Sequence, residues 1–145
     1  MTKKHLLLGL SLGMAIFIWH NSLQDAVNSE QASLFFVAWV RRLLSLSPVT
    51  FSTGMLDHLL RKLAHLTEFA ALGYCLMALF MYLTRERVRQ SVGNVWLFGL
   101  VVATLDELLQ LFSEGRSCQL SDVGIDLIGV TAGWVIFYLL SRWRA

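Results

Sequence analysis

Two stretches place ionisable side chains inside otherwise apolar runs: Arg61-Lys62-Leu63-Ala64-His65-Leu66-Thr67-Glu68 and Asp106-Glu107-Leu108-Leu109-Gln110. Imidazole beside carboxylates suits a divalent metal such as Zn, Mn or Mg, or a general base oriented by an acid. Arginine and lysine beside a headgroup layer suit phosphate. Both stretches lie in runs long enough to cross a bilayer, where a charge at the centre costs about 2.5–3.5 kcal/mol on insertion scales. Charges held at that cost pair with one another or face a functional cavity.

The elements that position these residues are helices in a membrane. Of 145 residues, 56% are hydrophobic and one is proline, more apolar surface than a soluble domain of this size can bury. We therefore expect a single all-α integral membrane domain. A first span covers about 6–20; it follows Lys3 and Lys4, and no small-x-small cleavage site follows it, which favours an uncleaved helix over a signal peptide. Further spans cover about 59–83, 95–112 and 123–140, giving four. The apolar segment Leu34–Val40 is too short to cross and is followed by Arg41-Arg42, so 29–46 reads as an interfacial or re-entrant helix between the first two spans, stopped before Pro48.

Basic residues orient the spans. Lys3, Lys4, Arg85, Arg87, Arg89, Arg142 and Arg144 fall at the two termini and in the loop between spans two and three, which the positive-inside rule makes cytoplasmic. Of the ten acids only Glu86 shares that side. A bacterial cytoplasmic-membrane protein with both termini inside is expected. The net charge of +2 gives no argument for a nucleic-acid partner. Cys75 and Cys118 fall at different depths, so no disulfide is expected, and neither belongs to a zinc spacing.

Helical phase gathers the polar residues. At about 100° per residue, His58, Arg61, Lys62, His65 and Glu68 occupy an arc of roughly 120° on span two. Asp106 and Glu107 lie four and three residues before Gln110, on one side of span three. On span four Asp122 and Asp126 share a stripe with Gly129 and Gly133, a GxxxG pair that permits close helix approach. Glu68, Asp106 and Asp126 fall about 5–12 Å below the outer surface at 1.5 Å per residue. Three helices and the Ser113–Ser121 loop thus bring polar groups to one outer layer. Ion pairs that merely fix packing, Arg61 or Lys62 with Glu68 and Arg116 with Asp122, are the competing reading. The count is uneven, however: Arg61, Lys62 and Arg116 face Glu68, Asp106, Glu107, Asp122 and Asp126. Protonated carboxyls, a charged histidine or a bound cation would make up the difference. No nucleotide-binding glycine loop, G-x-S-x-G elbow or H-E-x-x-H is present.

The ordered motifs K-x-x-H-x-x-E at Lys62, His65 and Glu68, D-E-x-x-Q at Asp106, Glu107 and Gln110, Gly115-Arg116, and Asp122 with Asp126 resemble the VanZ-like family from about Phe17 to Gly133. That family comprises small bacterial membrane proteins named for a teicoplanin-resistance accessory protein. The resemblance implies an envelope-related function and the motif positions Lys62, His65, Glu68, Asp106, Glu107, Gln110, Arg116, Asp122 and Asp126; Asp126 stands where many members have Asn. Three functions are open. The preferred one is an outer-leaflet site, formed by these residues with Arg61, that binds an envelope precursor or lipid headgroup and alters glycopeptide sensitivity. A second is an intramembrane transferase or hydrolase of a lipid-linked phosphate, with His65, Glu68, Asp106 and Glu107 catalytic and a divalent metal as candidate cofactor. A third is a structural or partner-binding subunit.

Reporter fusions test the orientation. A fusion at Arg87 should report the cytoplasm and one at Ser117 the exterior; an exterior Arg87 would overturn the topology.

Overall fold

The computed structural model describes residues 2–23, 42, 53–85, 87–113 and 119–143. Every regular element among them is an α-helix: α1 Lys3–Ser22, α2 Thr53–Leu83, α3 Val88–Gln110 and α4 Leu120–Trp143. A helix satisfies its backbone hydrogen bonds internally, which a bilayer demands of any spanning segment, and the one proline, Pro48, lies outside all four. The fold is all-α, and among the described residues three helices, α2, α3 and α4, are long and apolar enough to cross a membrane. The twenty residues of α1 carry Lys3, Lys4 and His5 at one end and His20 and Asn21 at the other, which shortens its apolar stretch. The interfacial segment expected at 29–46 lies, apart from Arg42, outside the described residues.

The helices alternate in direction. At one end the Lys3 ammonium sits 5.9 Å over the Tyr82 ring, joining the start of α1 to the end of α2. The turn into α3 is held there by a 2.7 Å bond between the Thr84 and Ser91 hydroxyls, and Arg85 takes φ 52° to reverse the chain. At the other end the Ser113 hydroxyl donates to the Ser22 carbonyl at 2.9 Å, tying α3 to α1. Trp19 Nε1 donates to the Val102 carbonyl at 3.2 Å along the same pair.

The core is built where α2, α3 and α4 meet. Phe69, Leu72, Met77, Val95, Ala103 and Val130 are buried together, with Ala15 and Ile18 of α1 against them. Large apolar side chains such as Leu10, Ile16, Leu97, Ile128 and Leu139 point outward and are exposed, the pattern of a bundle whose solvent is lipid. Trp134 packs against the core as a mid-helix tryptophan should. Cys75 is a free thiol on α2.

Glycines set the spacing. A Cβ on Gly129 would lie 2.7 Å from the Leu66 carbonyl oxygen, and one on Gly133 would collide with the Ala70 carbonyl. From the opposing side a Cβ on Gly73 would strike the Val130 carbonyl. The GxxxG stripe of α4 therefore packs against α2 of the same chain, backbone against backbone. By contrast, Gly9 and Gly13 of α1 face open space.

Gly133→Ala should lower stability by about 1–3 kcal/mol, the usual cost of overpacking. Gly9→Ala should not lower it, because alanine is the better helix former. Thermal unfolding of the detergent-purified variants reads both; an unchanged midpoint for Gly133→Ala would contradict the close approach.

Candidate functional site

The end of the bundle that carries Ser22 and Ser113 gathers polar side chains from all four helices. Their phase is fixed by the core: Phe69 and Leu72 turn inward on α2, Val102 and Ala103 on α3, and Val130 on α4. Residues one turn away on the same faces, His65, Asp106 and Asp126, must then meet near the axis.

The floor is buried and acidic. Asp106, Glu107 and Asp126 are 0%, 2% and 2% exposed, and each brings one carboxylate oxygen within 4.8 Å of the other two. Gln110 reaches back one turn and donates from Nε2 to Asp106 Oδ2 at 3.3 Å and Glu107 Oε1 at 3.2 Å. The backbone N–H of Gln119, just before α4, donates to Glu107 Oε2 at 2.8 Å. Two ionised carboxylates at such a spacing repel by about 3 kcal/mol at an effective dielectric of roughly 20. One amide shared between two of them offsets only part of that.

The rim is half-buried. Lys62 Nζ donates to Asp122 Oδ1 at 3.0 Å, bridging α2 to the first turn of α4. Asn21 Nδ2 of α1 donates to Glu68 Oε1 at 2.8 Å. Between rim and floor stands His65. Its Nδ1 lies 3.9 Å from Glu68 Oε2 and 4.0 Å from Asp106 Oδ2. That nitrogen is buried and makes no hydrogen bond. We call this polar cluster, with carboxylates at its base and a mixed, half-buried edge, the cup.

Of the residues singled out in the sequence, Lys62, His65, Glu68, Asp106, Glu107, Gln110, Asp122 and Asp126 come together here. Arg61 is half-buried on the same stretch of α2 and is itself engaged in an interaction. His58 is exposed. Arg116 lies outside the described residues, and with it the expected pair to Asp122. The structure pairs Lys62 with Asp122 rather than with Glu68. Six helical residues rotate Glu68 away from Lys62 by about 120°, so Lys62 faces the parallel α4 while Glu68 turns to α1.

Asn21 and Gln119 escaped the sequence reading. Both act across long separations, Asn21 on a residue 47 positions away. Neither occurs at a helical spacing from its partner, so periodicity could not find them. The one available sign was a polar run, His20-Asn21-Ser22, directly after an apolar stretch.

Gln110→Ala should cost about 1–3 kcal/mol, because it removes a donor shared by two buried carboxylates. Comparing its unfolding midpoint with that of the exposed Leu111→Ala checks this, and equal midpoints would show that the amide does not hold the floor.

Comparison with known proteins bears on the same residues. The model of the family described as VanZ/LLP1 matches residues 7–141, which takes in α1 from its second turn, all of α2 and α3, and nearly all of α4. No curated protein and no solved structure matches the chain. A match over almost the whole length, with the cup inside it, settles membership: this chain belongs to the VanZ/LLP1 family.

Proposed function

We propose that this VanZ-like membrane protein binds the headgroup of a lipid or envelope precursor in its polar cup, at the outer face of the bacterial cytoplasmic membrane, and so alters sensitivity to glycopeptides such as teicoplanin. The observation that carries the reading is the convergence of His65 and Glu68 from α2, Asp106, Glu107 and Gln110 from α3 and Asp126 from α4 on one end of the bundle. Side chains that fix packing alone would be spread along the helices. At the other end of the bundle the described polar contacts include the Thr84–Ser91 bond and two cation–π pairs, with no buried acidic cluster among the described residues.

Placement in the outer leaflet rests on charge and length. In this reading α1 is a fourth span in a single domain, and both termini are cytoplasmic. α1 supports this by reaching from Tyr82 at one end of the bundle to Glu68 near the other. Exposed Lys3, Arg85, Arg87 and Arg142 cluster at the end opposite the cup, as cytoplasmic residues do. The 31 residues of α2 exceed the 20 or so that cross about 30 Å of hydrocarbon. Counting twenty back from Leu83 reaches Ala64, so Lys62 and His65 stand at the boundary where headgroups begin. An amine, a guanidinium and acids at that depth provide hydrogen bonds and charge for a zwitterionic or phosphate-bearing group.

In a glycopeptide-susceptible host, His65→Ala and Glu107→Ala should reach the membrane at wild-type levels yet lose the change in teicoplanin sensitivity that the wild-type chain confers. Membrane immunoblots with growth-inhibition assays measure both. Full retention of the phenotype in the two variants would sink the reading, and loss of both proteins from the membrane would favour a structural role.

A further inference from the structure

We propose that Asp106, Glu107 and Asp126 bind one divalent cation at the floor of the cup. The proposal deepens the headgroup reading and rests on it for treating the cup as a ligand site.

Geometry is the first argument. Three carboxylate oxygens, one from each residue and none farther than 4.8 Å from the others, surround a point that a cation can reach from all three at once. Mg2+, Mn2+ and Ca2+ take oxygen ligands at about 2.0–2.6 Å, and oxygens sharing one such ion stand roughly 3–5 Å apart. The three residues come from two helices locked by close packing, since Gly129 and Gly133 bring α4 onto α2 and Val130 fills the space against Gly99 of α3. The ligands are therefore held by the fold and do not have to be gathered.

Second, Asp126 and the Nδ1 of His65 make no hydrogen bond with any described residue. Asp126 is 2% exposed, enters the cluster from the neighbouring helix and makes no hydrogen bond or ion pair with any described residue. A buried carboxylate is ordinarily hydrogen-bonded or paired. His65 Nδ1, likewise buried and without a hydrogen bond, points between Glu68 and Asp106. The one rim lysine near enough to help, Lys62, is already bonded to Asp122. A cation at the floor satisfies Asp126 directly, and a water it holds can hydrogen-bond His65.

Third, Gln110 is placed to serve an ion as well as the bare carboxylates. Its Nε2 now spans Asp106 and Glu107. Half a turn of the amide exchanges Nε2 for Oε1 and adds a fourth oxygen ligand, so the same residue serves the cluster with and without the ion. Oxygen ligands in this number fit a hard cation rather than a thiophilic one. A divalent ion here also resolves a difficulty of the headgroup reading: an acidic floor repels phosphate, whereas a carboxylate-bound divalent cation attracts it.

The test uses the full chain in detergent, stripped with EDTA and titrated with Mn2+ alone, with free ion followed by electron paramagnetic resonance. The expected result is one Mn2+ bound per chain and displaced by Mg2+ or Ca2+. Asp126→Asn and Glu107→Gln should each weaken binding roughly tenfold or more, since even outer partners of a metal ligand cost 10–100-fold; Lys3→Gln, at the far end, should not. Absence of stoichiometric Mn2+, or binding by both variants equal to wild type, overturns the proposal.

A second measurement stands if those variants fail to fold. Nitroxides on Leu120→Cys and Trp143→Cys, both highly exposed positions, lie on either side of Asp126, the second about 26 Å along the helix. Bound Mn2+ should broaden the label at 120 and spare the one at 143, and equal or reversed broadening overturns the site. Mn2+ bound through these residues in a protein whose cup variants keep full teicoplanin effect would support the cation and defeat the headgroup reading. A headgroup bound with no Mn2+ would do the opposite.

Discussion

Backbone contact between α2 and α4 is the constraint on which everything else in this molecule rests. In lipid, exposed leucines gain nothing by leaving their surroundings, so helices associate through close packing rather than through the hydrophobic effect. Here that packing is obtained by deleting side chains: Gly129 and Gly133 lie on Leu66 and Ala70, and Gly73 lies on Val130. Val130, buried completely, also presses on Gly99 and so draws α3 to the same axis. Asp126 lies one turn from Gly129 on the stripe that faces α2. The contact that fixes the bundle thus fixes where the Asp126 carboxylate points.

From that crossing, the chemistry divides by depth. At the rim, Lys62 and Asp122 are partly exposed, so their bridge is screened and contributes at most about 1 kcal/mol; its effect is to register the first turn of α4 against α2. At the floor the carboxylates are buried, and each calls for a partner close by. Gln110 and the Gln119 backbone serve Glu107, and Gln110 serves Asp106 in part. Such an arrangement opposes stability. Membrane helices with only apolar faces would pack without it, which is why the cup is read as a site rather than as glue.

Much of this was legible in the sequence, for definite reasons. The helical class followed from apolar runs that only helices can carry through lipid, and the family from short motifs whose order is more telling than any one of them. The arc holding Lys62, His65 and Glu68 follows from 3.6-residue periodicity, as does the facing of Asp106 and Glu107 toward Gln110. What periodicity does not contain is the rotation of one helix against another. It therefore set Glu68 as the partner of Lys62, where the fold supplies Asp122, and left open whether the GxxxG stripe packed within the chain. Both depend on the parallel course of α2 and α4, set by the glycines and by Val130. Asn21 and Gln119 were invisible for the same reason, since each acts on a partner fixed only by tertiary packing.

The central claim is that the cup is a place built for a ligand. It is tested most directly by an experimental density map of the protein in bacterial lipid, resolved well enough to separate the side chains of His65, Glu68, Asp106 and Asp126. The account predicts density not belonging to the chain between the acidic floor and the Lys62–Asp122 rim, in contact with Asp126. A map in which the helices close on each other there, with Asp126 hydrogen-bonded to a neighbouring side chain and nothing between rim and floor, would contradict it.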